Sequence, residues 1–165
     1  MIVTMKVTDK ILYINRLETF LTNKSVKEYD VYNEITQAAQ KVSHSDRASL
    51  FIFNHDSQQL ETHVAQGLPT KIEVMLGEGI VGKCAQTKKA IIENDVDASQ
   101  HFNATIDLGS GYVTTDTLAV PILDKTENLL GVIQVLNKEM LHYNEKDEQL
   151  LLKIAKLASD YISKI

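Results

Sequence analysis

Asp116-Thr117-Leu118-Ala119-Val120-Pro121-Ile122 is followed by the polar stretch Asp124-Lys125-Thr126-Glu127-Asn128 and then by Leu129-Leu130-Gly131-Val132-Ile133-Gln134-Val135-Leu136. Two apolar runs around a short polar turn read as an antiparallel hairpin. Downstream, Asn144 with Asp147 three residues on is a good helix start. Leu151, Ile154, Leu157, Ala158, Tyr161, Ile162 and Ile165 then give that helix a wide apolar face. Upstream, helices come before the strands. A helix is expected from about Thr8 to Lys24, with Ile11, Ile14, Leu17 and Leu21 on one stripe and Tyr13 and Phe20 beside it. A second runs from about Ser25 to His44, burying Val31, Ile35, Ala38, Ala39 and Val42. Ala48–Phe53 reads as a central strand, Leu60–Val64 as its alternating return strand, and Lys71–Met75 and Ala90–Ile92 as short strands. Gly77-Glu78-Gly79-Ile80-Val81-Gly82 opens a helix through Ala85 to about Thr87. The order predicts an α+β fold: a mostly antiparallel sheet with the terminal helices on one face.

Composition narrows the function. The chain has 165 residues, 44% hydrophobic and 24% charged, with a formal net charge of -5. That length suits one domain, and the charge argues against a broad nucleic-acid footprint. The start lacks a basic region and a long apolar run, so no signal peptide and no membrane insertion are expected. Cys84 is the one cysteine, which excludes an intramolecular disulfide and favours a reducing, cytoplasmic setting. On its helix Cys84 reads as a small buried residue.

The usual catalytic constellations are missing. His44, His55, His63, His101 and His142 show no close helical ligand spacing, and neither Cys-x-x-Cys nor Gly-x-Ser-x-Gly occurs. The glycines at 77, 79 and 82 lack the Gly-Lys-Ser/Thr of a phosphate loop. Residues 94–112 form a polar, irregular stretch, too long for a simple turn and of the kind that carries function. The balance favours a binding module over an enzyme.

Three stretches carry a family resemblance. Gly79-Ile80-Val81-Gly82-Lys83-Cys84-Ala85-Gln86-Thr87 resembles a Gly-Ile-Ala-Gly-x-x-Ala-x-Thr helix. Gly111-Tyr112-Val113-Thr114 with Leu118–Ile122 is the second. The third is Asn137-Lys138, Tyr143 and Asp147-Glu148, which resembles the Asn-Lys…Phe-x-x-x-Asp-Glu signature with Tyr for Phe. From about Ser25 to Ile165 the chain is similar to a GAF domain, the small-molecule sensor of cyclic-nucleotide phosphodiesterases, adenylyl cyclases and bacterial signalling proteins. The resemblance implies residues 25–165 as the sensor, with residues 1–24 a helix for packing or dimerisation. It implies that Lys138 pairs with Asp147 to pin the last strand to the last helix.

A further pattern of the family marks its nucleotide pocket: Tyr or Asn, Asp four on, Thr three later, Thr four later, Glu or Gln twenty later. Asn103, Asp107, Ser110, Thr114 and Gln134 hold those places. Asp107 suits a purine edge or backbone amides, Ser110 and Thr114 suit a phosphate oxygen, and Ile80 and Val81 an apolar wall. Ser49 matches an early pocket serine. The competing reading has Asp107, Ser110 and Thr114 cap their own loop. Members that bind cGMP carry Phe-Asp after the second strand, where this chain has Ala65-Gln66. The resemblance therefore implies a non-catalytic sensor with no required cofactor. Its expected ligand is a cyclic nucleotide, its expected state a homodimer through terminal helices, and its alternative a ligand-free dimerisation module. The multi-cysteine relay of GAF-folded methionine-sulfoxide reductases and a bilin attachment site are set aside on Cys84 alone; a haem reading through His101 stays open.

Overall fold

The computed structural model describes residues 7–23, 25–67, 71–96 and 112–165. The elements are α1 (Val7–Leu21), α2 (Glu28–Ser43), β1 (Ser45–Asn54), β2 (Gln59–Ala65), β3 (Glu73–Met75), α3 (Gly79–Thr87), β4 (Ile91–Glu93), β5 (Thr117–Leu123), β6 (Leu129–Lys138) and α4 (Glu145–Ile162). The strands form a six-stranded sheet in the order β3-β2-β1-β6-β5-β4, and every neighbouring pair is antiparallel. The α+β expectation holds.

The sheet is sandwiched. On one face, Leu17 of α1, Val31, Ile35 and Val42 of α2, and Leu151, Ile154 and Ala158 of α4 pack on Leu50, Val120, Ile133 and Val135. On the other, Ile80, Val81, Cys84 and Ala85 of α3 pack on Phe51, Leu60, Ala119 and Val132. The α1 stripe is narrower than expected. Leu17 is buried while Ile11 and Leu12 are exposed, because α1 reaches the core through its C-terminal half. Among the described residues no helix is long and apolar enough to cross a membrane.

The return strand and the bounds of β1 and β6 differ from the expected ones. The return strand β2 does not simply alternate. Leu50 pairs with Val64 and Phe51 with Thr62, which leaves His63 as an extra residue in a bulge. Leu60 therefore enters the α3-side core while Val64 packs on the helix side. β1 begins at Ser45 rather than Ala48, because His44 ends α2 in the left-handed region (φ 52°) and turns the chain at once into a ladder with β6, Ser45 opposite Lys138. β6 correspondingly runs two residues past Leu136 to Lys138.

The α3 start depends on glycine. Gly79 has φ +61°, and a Cβ on Gly82 would lie 2.3 Å from the Met75 carbonyl oxygen. Only a bare backbone allows α3 to sit that close to the end of β3.

Candidate functional site

The face opposite α1, α2 and α4 gathers most of the described pocket candidates. Alternation along β1 and β6 puts Ser49 and Gln134 on the α3 side with Phe51 and Val132. Ser49 and Gln134 are direct cross-strand partners, and Gln134 also pairs with Ala119 of β5. The Gln134 amide donates to Thr117 Oγ1 at 3.2 Å. Ile80 and Val81, on the first turn of α3, are buried against this face. Thr114 is buried just ahead of β5. Asn103, Asp107 and Ser110 lie outside the described residues. Among the described residues, no group of three or more His, Cys, Asp or Glu could hold a metal ion.

Gln66 occupies one of the two positions where cGMP-binding members are expected to carry Phe-Asp, and its side chain is engaged elsewhere. Its Oε1 accepts from the Ala48 amide at 2.9 Å, and its Nε2 donates to Gln40 Oε1 of α2 at 3.1 Å. It thus fastens β2 to α2 on the helix side of the sheet.

The Asn137–Glu148 motif forms the junction beside this face. Asn137, at φ 54°, turns the end of β6. Its Oδ1 accepts from the Thr115 amide at 2.7 Å, and its Nδ2 donates to the Val113 carbonyl at 2.7 Å and to the Tyr112 phenol at 3.0 Å. Lys138 Nζ lies 2.8 Å from Asp147 Oδ1 and 3.0 Å from the Ser43 carbonyl, so one ammonium ties β6, α4 and the end of α2. Asp147 Oδ2 accepts from the Asn144 amide at 3.0 Å, completing a capping box at the α4 start. Tyr143 is buried, and its hydroxyl shares a 2.5 Å hydrogen bond with Ser45 Oγ. Glu148 is half-buried and only its backbone amide enters this junction, donating to the Asn144 carbonyl.

Five residues outside the expected set, Asn94, Asp116, Tyr112, Asp46 and Arg47, complete the junction. Asn94 clips Tyr143 on both sides: Nδ2 donates to its carbonyl at 3.1 Å and Oδ1 accepts from its amide at 3.0 Å. Asp116 Oδ2 accepts from the Lys138 amide at 3.0 Å. The Tyr112 phenol donates to Asp46 Oδ2 at 2.6 Å, and its ring lies 3.7 Å beneath the Arg47 guanidinium. Asn94 and Tyr112 flank the segment carrying Asn103, Asp107 and Ser110: Asn94 is tied to Tyr143 just ahead of α4, and Tyr112 to Asp46 of β1 and Asn137 of β6. The sequence signal for them was weak: an Asn after a short strand and a Tyr in a family stretch.

Burial sets the local electrostatics. It pushes the Cys84 thiol up to about 12, so the thiol stays protonated and serves as packing. Burial and the Asp46 carboxylate both raise the Tyr112 phenol, and burial raises Tyr143. The imidazoles of His44 and His63 are held below the ordinary histidine value, first by burial; at His44 the ammonium groups of Lys10 and Lys138 add to it.

Comparison with known proteins agrees with this architecture. The sequence profile of the GAF domain matches residues 29–162. The cGMP-specific 3',5'-cyclic phosphodiesterase of Drosophila sechellia is 31% identical over 126 residues, covering 66% of this chain and 10% of the relative. That of Drosophila melanogaster is 30% identical over the same length. The chain thus spans about a tenth of these relatives. Among solved structures, the GAF domain of a phosphoenolpyruvate-protein phosphotransferase from Coxiella burnetii matches with a TM-score of 0.84 at 19% identity, covering 97% of this chain and 96% of that one. The free methionine-R-sulfoxide reductase of Neisseria meningitidis, solved with its substrate, matches with a TM-score of 0.78 at 16% identity, covering 98% and 93%. At those identities the likeness is one of fold, and the same fold serves as one domain of a phosphotransferase and as a reductase. Profile and architecture agree over nearly the whole folded length: the chain belongs to the GAF domain family.

Proposed function

We propose that the chain is a non-catalytic, cytoplasmic sensor that binds a small molecule on its α3 face and works in signal transduction. The ligand we favour is a cyclic nucleotide, cAMP or cGMP, with no further cofactor required. The observation that carries this reading is the shared face: Ser49, Ile80, Val81 and Gln134 converge there from three separate elements. Asn103, Asp107 and Thr114 fit the family's nucleotide pattern on the chain leading into β5, with Ser110 in place of its Thr and keeping the hydroxyl. Relatives named for cGMP support the ligand class. Gln66 speaks for altered base recognition, since its amide is spent on Ala48 and Gln40. Ligand acts by preferring one of two arrangements of the terminal helices, which in a homodimer pass the state to an attached or partner output domain.

Calorimetry with cAMP, cGMP and cyclic dinucleotides tests the proposal. Heat with one of them, abolished by Asp107→Ala in a folded protein, is the expected result; no heat with any sinks it. The ligand-free dimerisation module is the second reading, favoured by Ala65-Gln66 in place of Phe-Asp.

A further inference from the structure

A groove of about 540 Å³ runs along the outer end of β5, between α4 and the connection from α3 to β4. Its floor is apolar. Pro121, Leu123 and Ala155 line it, and Leu152, 38% exposed, stands on its α4 rim. The sheet edge here does not accept another strand. β4 pairs with β5 only from Thr117 to Ala119; beyond that, Pro121 has no amide hydrogen and the Leu123 carbonyl accepts from the Ser159 hydroxyl at 2.5 Å. Whatever docks here is held through side chains.

The charges around that floor run against the rest of the chain. The sequence carries 22 acidic residues to 17 basic ones. Among the described residues, Lys88, Lys89 and Lys156 edge the groove against Glu148 alone. All three lysines are exposed, and among the described residues none has an ion-pair partner. Lys88 follows α3 in the left-handed region (φ 55°) and donates an Nζ hydrogen to the Glu127 carbonyl at 2.8 Å. That bond fixes one cation at the rim and leaves its other hydrogens for an anion. On α4, Glu148, Leu152 and Lys156 are spaced by four, so the apolar side chain and the cation share one ridge. We propose that this groove docks an acidic amphipathic helix of a partner protein. The partner's apolar stripe packs beside Leu152 onto Pro121 and Leu123, and its carboxylates face Lys89 on one wall and Lys156 on the other. Apolar burial supplies affinity, and the ion pairs supply orientation and choice of partner. Among the described residues no aromatic ring lines the groove to stack a base. The net charge of -5 opposes approach to an anionic bilayer. A peptide therefore suits the groove better than a nucleic acid or a membrane.

The probe is a fluorescein-labelled peptide of Ala, Leu and Glu, about 18 residues long so that it holds its helix in water. Leu recurs at every third or fourth position, with Glu on both flanks of that stripe. Fluorescence anisotropy with the whole chain should show saturable binding in the micromolar range. In an NMR titration the shifted amides should gather at Lys88–Ala90, Leu123 and Leu152–Lys156. K89E and K156E should each weaken binding about fivefold or more, and Leu152→Ser comparably. E148K, which removes the lone acid, should tighten it about threefold. Raising salt from about 0.1 M to 1 M cuts the screening length from about 10 Å to 3 Å and should weaken the complex. Circular dichroism and thermal melts check that the variants fold; if a reversal does not, K89Q and K156Q carry the same test with smaller shifts. No saturation by about 1 mM peptide, indifference to the reversals, or equal binding of a peptide with Lys in place of Glu overturns the proposal. Tighter binding of a single-stranded oligonucleotide or of phosphatidylserine vesicles at the same residues also overturns it, in favour of that class. Calorimetry with cyclic nucleotides reads the α3 face, so this proposal and the sensor reading fail separately.

Discussion

Asp147→Ala is the sharpest probe of the junction. The Asp147 side chain is 3% exposed and that of Lys138 10%. Removing the carboxylate leaves the ammonium with the Ser43 carbonyl at 3.0 Å and the distant Tyr143 ring at 5.7 Å. It also strips the Asn144 amide of its acceptor at the start of α4. Stranding one partner of a buried pair costs about 3–5 kcal/mol, of which losing half a capping box accounts for about 1 kcal/mol. For a chain of this size each kcal/mol moves the melting point by about 2–4 °C, so Tm should fall by roughly 10 °C. Urea denaturation with linear extrapolation gives the free energy directly. The double variant Lys138→Met/Asp147→Leu removes both charges and should lose less than Asp147→Ala alone. An Asp147→Ala protein within about 1 kcal/mol of wild type would refute the reasoning, because the pair would then behave as a solvated one.

Other positions give smaller, separable effects. Gly82→Ala drives a methyl into the Met75 carbonyl at 2.3 Å and should cost about 1–3 kcal/mol, read in the same urea experiment. Tyr112→Phe keeps the ring under Arg47 but removes the bonds to Asp46 and Asn137, which should cost about 1 kcal/mol and increase amide exchange near Thr115. His44 and His63 have folded-state pKa values below the unfolded value. The stability each contributes is therefore fully present above the unfolded pKa of about 6.5 and is lost as pH falls through the folded pKa. The variant His44→Asn/His63→Gln should show a flatter decline in urea midpoint from neutral to mildly acidic pH; a decline as steep as wild type would assign the acid sensitivity to other groups.

Much of the architecture was legible in the residues themselves. Helical spacing marked Val31, Ile35, Ala38, Ala39 and Val42 as the buried face of α2, and all five are buried. The β5–β6 hairpin followed from two apolar runs and a polar turn, and Asn144 with Asp147 announced the start of α4, where both halves of the capping box are made. For the site, alternation along β1 and β6 put Ser49 and Gln134 on one face once their register was known. The register itself was not legible, nor were the roles of Asn94, Asp116 and Tyr112. Their partners, Tyr143, Lys138 and Asp46, lie 49, 22 and 66 residues away in the chain.

What the sequence determined by itself is thus whatever its local periodicity and caps encode: which residues form helices, which form strands, and which side of each helix is apolar. A helix's face or a hairpin's turn depends on neighbours within a few residues, so one strand of text suffices. Only the tertiary structure decided that His63 is the extra residue of a bulge, which sends Leu60 and Val64 to opposite cores. It also decided that His44 turns left-handed into β1, and that the Lys138 ammonium, beyond the Asp147 partner the resemblance implied, reaches the Ser43 carbonyl and brings the end of α2 into the junction. A bulge is defined against the partner strand, and a buried charge is tolerated only where distant groups converge on it. Neither condition is written in any single stretch of the chain.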